Sequence, residues 1–399
     1  MSSEKTLILD NGGWVCKVGY SIDCEPQIIP NCIMKAKAER GKKFICNEID
    51  NCRDMSGLYY LMPFQKGFLV HWDVQRTVWN HLFSKSLLKV DPSSTNLIFT
   101  EPPFNFLSVQ DSLDEIFFEE YQFMSLYRSN PSSLSAYNYL INRNSMSCIV
   151  VDSGFSFTHV LPYQKTNRCI PRKIPEGIVR MDVGGKLLTN NLKEIISYRQ
   201  MHVLDETYVI NQCKEDCCFV TQDFYSDMTE VRIPNSKLAC DYVLPDFLTN
   251  KRGFVKDIGD QNKQSEGEQV LHLTNERFTV PEILFRPSDI GFQQAGICES
   301  IAYSVNKCQE NAKFELIDNL LLTGGNCLFP GFADRVYSEI RCLIDCYSDV
   351  TVTLPDHPQT YAWYGGKLLA QNPMFPSLKV TRAEYDENGS NICREKFDY

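Results

Sequence analysis

The sequence of 399 residues is 43% hydrophobic and 23% charged, a globular balance that excludes a largely disordered or collagen-like chain. Forty Lys and Arg against fifty Asp and Glu give a net charge of −10, which disfavours broad electrostatic attraction to nucleic acid. No apolar run approaches the roughly 18 residues of a spanning helix, the apolar run near the N-terminus is too short for a signal sequence, and the 17 cysteines are odd in number without a C-x-x-C pair; the expectation is an intracellular chain of buried free thiols with no membrane segment.

The first element is LILDNGGWVCKVGY, residues 7–20: a buried strand, an Asp-x-Gly turn and a second strand, with the glycine expected to supply positive φ. Residues 73–84, DVQRTVWNHLFS, space Val74, Val78 and Leu82 four apart beside Trp79 and Phe83 and predict a helix behind an Asp N-cap. A second amphipathic helix is expected over 111–127. CIVVDSGFSFTHVLPY, residues 148–163, then repeats the strand, Asp-x-Gly turn and strand of the first segment. A separation of about 140 residues is too long for a solenoid repeat and suits two related domains. A third helix follows the Gly184–Gly185 pair over 183–198. The polar stretch 249–269 shows no periodicity and reads as a mobile insertion, either a solvated loop or a functional one. A buried strand at 320–322 runs through Gly324–Gly325 into a helix expected near Pro330. Strands alternating with helices indicate an α/β protein.

Asp-x-Gly turns at strand ends can offer backbone N–H groups to phosphate oxygens, while a nearby carboxylate holds Mg²⁺ through water. Asp10-Asn11-Gly12-Gly13 and Asp152-Ser153-Gly154 can therefore face each other across a cleft, with Lys17 adding positive charge. One such turn is weak, being a plain hairpin in most sequences; two in a duplicated pattern are much stronger. The Gly324–Gly325 turn reads equally as a tight strand-to-helix connection and as a place where a base or ribose approaches the backbone; the other two turns favour the second. Ser153 and His159, six residues apart and without a G-x-S-x-G elbow, make a poor hydrolase pair, and His71, His81 and His159 lack partners at metal spacing.

Taken in order, these turns resemble the actin family within the wider superfamily of sugar kinases, heat-shock chaperones and actins. LDNGGWVCKVGY is similar to the first phosphate loop, PFQKGFLVHWDVQRTVWNHLF to the helix entry, VVDSGFSFTHVLPY to the second phosphate loop and LLLTGGNCLFPGFADRV to the adenosine loop; YAWYGGKLLA and EYDENG match near the C-terminus. The resemblance implies two ribonuclease-H-like domains around a nucleotide cleft, each with a peripheral subdomain. The first lobe would comprise 1–147 and 350–399, with a small subdomain over 33–70. The second would comprise 148–349, with a subdomain over 186–276. By resemblance, Asp10, Gly12, Gly13, Lys17, Asp152 and Gly154 match phosphate positions, Asp10 and Asp152 serving Mg²⁺ indirectly. Gly185 lines the cleft, Lys214 and Glu215 match base and ribose contacts, and Gly324, Gly325 and Phe329 close the adenosine side. Lys214 by itself reads as a solvated helix charge. ATP or ADP with Mg²⁺ is the implied ligand.

The departures from the family pattern remove groups that phosphoryl transfer uses. The water-orienting glutamine falls at Pro131, a serine–glycine pair is replaced by Gly13-Trp14, and Phe155 and Ser156 stand for an aspartate and a glycine. The indole of Trp14 either obstructs the terminal phosphate or turns outward. Segment 33–62 lacks the hydrophobic plug of the polymerisation loop, so neither hydrolysis nor filament formation is expected. The closest likeness is to nuclear members of the family. It implies a subunit of a chromatin-remodelling assembly that exchanges a histone variant, with a separate motor ATPase subunit, a zinc-finger HIT-type partner, nucleosomal DNA contact within the complex, an association with heterochromatin proteins, and a nuclear, partly also cytoplasmic, location. The alternatives are a slow ATPase whose nucleotide state switches partner binding, and a filament-forming cytoskeletal protein.

Overall fold

The computed structural model describes residues 5–37, 41–52, 55, 57–234, 236–247, 250–256 and 268–397. Its centre is two sheets of like topology. In the first, Lys5–Asn11 pairs antiparallel with Val15–Tyr20 and parallel with Thr95–Thr100, which pairs parallel with Ser125–Ser129. In the second, Ser147–Ser153 pairs antiparallel with Thr158–Gln164 and parallel with Leu320–Thr323, which pairs parallel with Val352–Thr353. Each sheet thus has a hairpin whose first strand begins a parallel series. Leu7, Ile8 and Leu9 are buried, as are Ile149, Val150 and Val151, because helices cover both faces of each sheet. The continuous apolar runs before Asp10 and Asp152 follow from this double cover.

The helix Pro131–Arg143 joins the lobes. Leu134 and Tyr137 belong to the core of the first sheet, while Ala136, Tyr139 and Leu140 pack with Cys148, Val150 and Leu321 of the second. Against it lies Tyr361–Ala370, drawn so close that a Cβ on Gly365 would sit 2.0 Å from the Leu134 carbonyl oxygen. Gly365 therefore sets a backbone-to-backbone contact with the bridging helix, while Gly366 makes room for the Ile8 side chain.

Two small sheets sit at the periphery. Ile33–Lys35, Phe44–Ile45 and Tyr59–Leu61 form one, with its own core of Cys32, Met34, Phe44 and Ile49. Cys240–Val243, Phe254–Lys256 and Val270–Leu273 form the other. The region of the first small sheet also contacts the second lobe. Lys37 pairs with Asp205 at 2.9 Å, the Gly57 N–H donates to Glu206 at 2.9 Å, and Tyr208 and Phe247 pack against the first small core.

Several sequence expectations are corrected. The helix expected over 111–127 is Leu107–Glu115, a π turn at Ile116–Glu120 and then the strand Ser125–Ser129; the five-residue π turn carries Phe117 and Phe118 into the core at the end of the helix. The helix at 73–84 is Trp72–Phe83, so Asp73 lies within its first turn, where it favours the helix dipole, and the capping position is His71 without a side-chain cap bond. Val352–Thr353, assigned to the first lobe by the 350 boundary, pairs with the second sheet. Within 249–269, read as unstructured, Phe254–Lys256 is a strand paired with Cys240–Val243; residues 249 and 257–267 lie outside the described residues. All 17 cysteines are free thiols, Cys213, Cys217 and Cys218 being buried together in the second core.

Candidate functional site

A cavity of about 330 Å³ lies between the lobes, within the range of small-molecule pockets. The residues assigned to the nucleotide site by resemblance, and the departures from its pattern, all line it: Asp10, Gly12, Gly13, Trp14 and Lys17 from the first hairpin; Pro131 from the bridging helix; Asp152, Gly154, Phe155 and Ser156 from the second hairpin; Gly185, Lys214 and Glu215 from the second lobe; and Gly324, Gly325 and Phe329 from the third turn. Residues more than 300 positions apart converge because both parallel series deliver their strand ends to the same side.

At one end the register sets Asp10 opposite Lys17, and Lys17 Nζ donates to Asp10 Oδ2 at 2.9 Å. The Thr100 hydroxyl donates to Asp10 Oδ1 at 2.6 Å. Asp152 faces this pair and accepts from the Ser132 hydroxyl at 3.3 Å. Burial and the neighbouring Asp10 push its carboxyl up to about 6, against the pull of Lys17. For Lys17 burial opposes the charge, but Asp10 and Asp152 outweigh it and hold the ammonium above its usual value. Two carboxylates and one ammonium suit a hydrated divalent cation beside an anion. Among the described residues no third His, Cys, Asp or Glu joins them, so an ion held there completes its shell with water or ligand oxygens.

At the other end Lys214 is buried, and the solvated reading of its charge is corrected. Its Nζ donates to Asn211 Oδ1 at 2.9 Å, the Thr189 hydroxyl at 3.0 Å and the Gly185 carbonyl at 3.2 Å. Burial pulls its pKa down to about 8 against the influence of Glu215. Glu215 accepts from Asn211 Nδ2 at 2.8 Å. Gly324 has φ +96°, and a Cβ there would lie 2.2 Å from the Ser153 carbonyl oxygen, so the third turn is held against the second hairpin. Thr189, Asn211 and Asn326 were not found from sequence. Asn326 Nδ2 donates to the Gly154 carbonyl at 2.8 Å and ties the two loops, and its place in TGGN was the available signal.

The positive φ expected at Gly12 and Gly154 is not present. Gly12 is required by proximity instead, a Cβ there falling 2.6 Å from the Val15 carbonyl oxygen; Gly154 has no such restriction, its nearest contact being 3.6 Å. The choice left open for Trp14 is resolved: its ring lines the cavity and stacks on Phe155 at 4.8 Å between centroids, with Tyr60 at 5.6 Å. Pro131 is the first residue of the bridging helix, and Ser135 reaches the cavity one turn later. Neither side chain offers an amide to orient water. Ser153 and His159 do not pair. The Ser153 hydroxyl is bonded to that of Thr158 at 2.9 Å, and burial, with Arg180 nearby, pushes the His159 pKa down to about 3. His71 and His81 bond the side chains of Gln65 and Asn47.

The actin family model matches residues 1–398, with both hairpins, the third turn and the hinge inside the match. The chain belongs to the actin family. It is 45% identical over 396 residues to actin-related protein 6 of Drosophila melanogaster, covering 97% of this chain and 98% of that one. It is 38% identical over 424 residues to actin-related protein 6 of Arabidopsis thaliana, covering 98% and 99%. Actin-related protein 6 of Dictyostelium discoideum is 32% identical over 470 residues, with 99% and 95% covered. The two-lobed α/β fold is that of actin, and actins bind ATP or ADP with Mg²⁺. The lysine, carboxylates and glycine turns lining this cavity fit that ligand at both its base and phosphate ends.

Proposed function

We propose that this actin-family chain is a nuclear structural subunit of an ATP-dependent chromatin-remodelling assembly that exchanges a histone variant, and that it neither forms filaments nor hydrolyses ATP at a useful rate. The motor ATPase is then another chain. The observation that supports the loss of hydrolysis is the Trp14–Phe155 stack between the two hairpin tips, which puts aromatic carbon where, in this reading, phosphoryl transfer would need polar groups. Pro131 and Ser135 offer no side-chain amide in the position of the family's water-orienting glutamine.

In this reading ATP or ADP is a ligand that ties the lobes together, stabilising the folded chain by mass action. Lys214 and Glu215 would hold its base and ribose, and Asp10 and Asp152 would hold Mg²⁺ through water. The ion supplies charge neutralisation to the phosphates when bound. Lys17 orients Asp10 through their 2.9 Å ion pair. Against filament formation we set segment 33–62, whose described residues build a core of their own and are tied to the opposite lobe through Lys37–Asp205 and Gly57–Glu206. The zinc-finger HIT-type subunit and the motor subunit are the proposed partners, with nucleosomal DNA and heterochromatin proteins met within the assembly; the acidic chain suits protein contacts better than autonomous DNA binding.

The intact Asp10, Lys17 and Asp152 cluster favours a second reading, a slow ATPase whose nucleotide state switches partner affinity. Reconstitution separates the two. An assembly lacking this chain should lose histone exchange and regain it equally with wild type and with Asp10→Ala. Rescue by wild type alone would favour the switch.

A further inference from the structure

We infer that the cleft is selective for nucleoside diphosphate over triphosphate, because the bridge between the hairpin tips takes the space of a third phosphate. This rests on the cleft being a nucleotide site. In each hairpin the aspartate marks the base of the tip: Asp10 is opposite Lys17, and Asp152 is opposite His159. A nucleotide with its base at Lys214 runs its phosphates toward these residues, and the tips lie beyond.

There the tips touch. A Cβ added to Gly13 would be 2.7 Å from Ser156 Oγ, and the rings of Trp14 and Phe155 stack with planes inclined by 28°. Tips that hold a phosphoryl group between them must leave room for a hydrogen bond of about 2.9 Å on each side of it; here the space between them is taken by the Trp14 and Phe155 rings, whose centroids lie 4.8 Å apart.

The bridge is also anchored from behind. Asn31 Nδ2 donates to the Gly12 carbonyl at 2.9 Å, and the Trp14 carbonyl accepts from the Asn31 N–H at 2.8 Å. On the other tip the Gly154 and Phe155 carbonyls accept from the N–H groups of Gly185 and Lys186 at 3.0 and 2.8 Å. Those are the first amides of the helix Gly185–Arg199, so the groups most able to receive an additional anion already serve the tip. Admitting a third phosphate requires breaking these bonds and the ring stack.

Calorimetric titration of the purified chain with MgADP and MgATP tests the inference. ADP should bind at least tenfold more tightly. In Trp14→Ala/Phe155→Ala the ratio should fall toward one through a gain in ATP affinity; Phe155→Ala alone removes the stack should the double variant fail to fold. Equal affinity in wild type, or a preference for ADP unchanged when the stack is gone, would overturn diphosphate selectivity and leave the nucleotide reading intact. Failure of both nucleotides to bind wild type and variants would overturn both.

Discussion

Replacing Lys214 by Met gives opposite signs for stability and for ligand binding. The ammonium is buried with three neutral oxygens about it, and its pKa is pulled from the ordinary lysine value of 10.5 to about 8. That drop corresponds to about 3 kcal/mol against folding at neutral pH. Methionine fills much of the same volume without the charge. The hydrogen bonds lost are each about 1 kcal/mol, and the Thr189 hydroxyl keeps one of the freed oxygens paired. The net change expected at pH 7 lies between zero and a gain of about 2 kcal/mol. Nucleotide affinity should fall tenfold or more. The folded pKa lies below the unfolded one, so the unfolded chain binds more protons between about pH 8 and 10.5 and wild-type stability gains over the variant across that window. Urea denaturation at pH 7 and pH 10, with calorimetric ADP binding, measures all three effects. A loss of more than about 2 kcal/mol in Lys214→Met would refute the reasoning, because it would make Lys214 a structural residue rather than one retained for a ligand.

Asp152 is held at about 6, so it is ionised at neutral pH and protonates as pH falls through that value; the Mg²⁺-dependent part of ADP affinity should be lost between pH 7 and 5, and Asp152→Asn should remove the Mg²⁺ dependence at both, as calorimetry would show. A Cβ on Gly67, whose φ is +80°, would lie 1.9 Å from the Phe157 ring of the opposite lobe, so Gly67→Ala should cost at least about 2 kcal/mol in urea denaturation and speed hydrogen exchange in both hairpin tips. Glu282 accepts from Arg335 at 2.9 Å with both side chains buried; Glu282→Ala removes one of the guanidinium's two carboxylate partners and leaves it Glu339 and the Thr221 carbonyl, and should cost about 2 kcal/mol in the same assay.

Both hairpins were legible because an apolar run ending in Asp-x-Gly is a local pattern, and its repetition revealed the duplicated architecture before any contact was known. The lining of the cavity was legible for the same reason: its residues sit at the ends of those runs. Lys214 was not. Its burial depends on Thr189 and Asn211 presented by two packed helices, and nothing in the sequence near Lys214 announces the oxygens that solvate it. The π turn at Ile116–Glu120 was missed because a uniform 3.6-residue period has no place for one residue inserted in a single turn, which is settled by packing Phe117 and Phe118 into the core. Gly12 was assigned a conformational role when its actual constraint is the Val15 carbonyl, a contact set by the fold of the tip. Trp14 shows the same limit: a ring at a loop tip can turn to solvent or inward, and Phe155, 141 positions later, decides which.

The most direct test of a cleft that binds nucleotide without turning it over is a single-turnover experiment. Purified chain in excess over radiolabelled ATP with Mg²⁺ would be followed for phosphate release, beside Asp10→Ala. The account predicts phosphate release indistinguishable from that of Asp10→Ala, together with ADP binding by the wild type. Turnover in the wild type that Asp10→Ala abolishes would contradict it and make the chain a switch driven by its own hydrolysis.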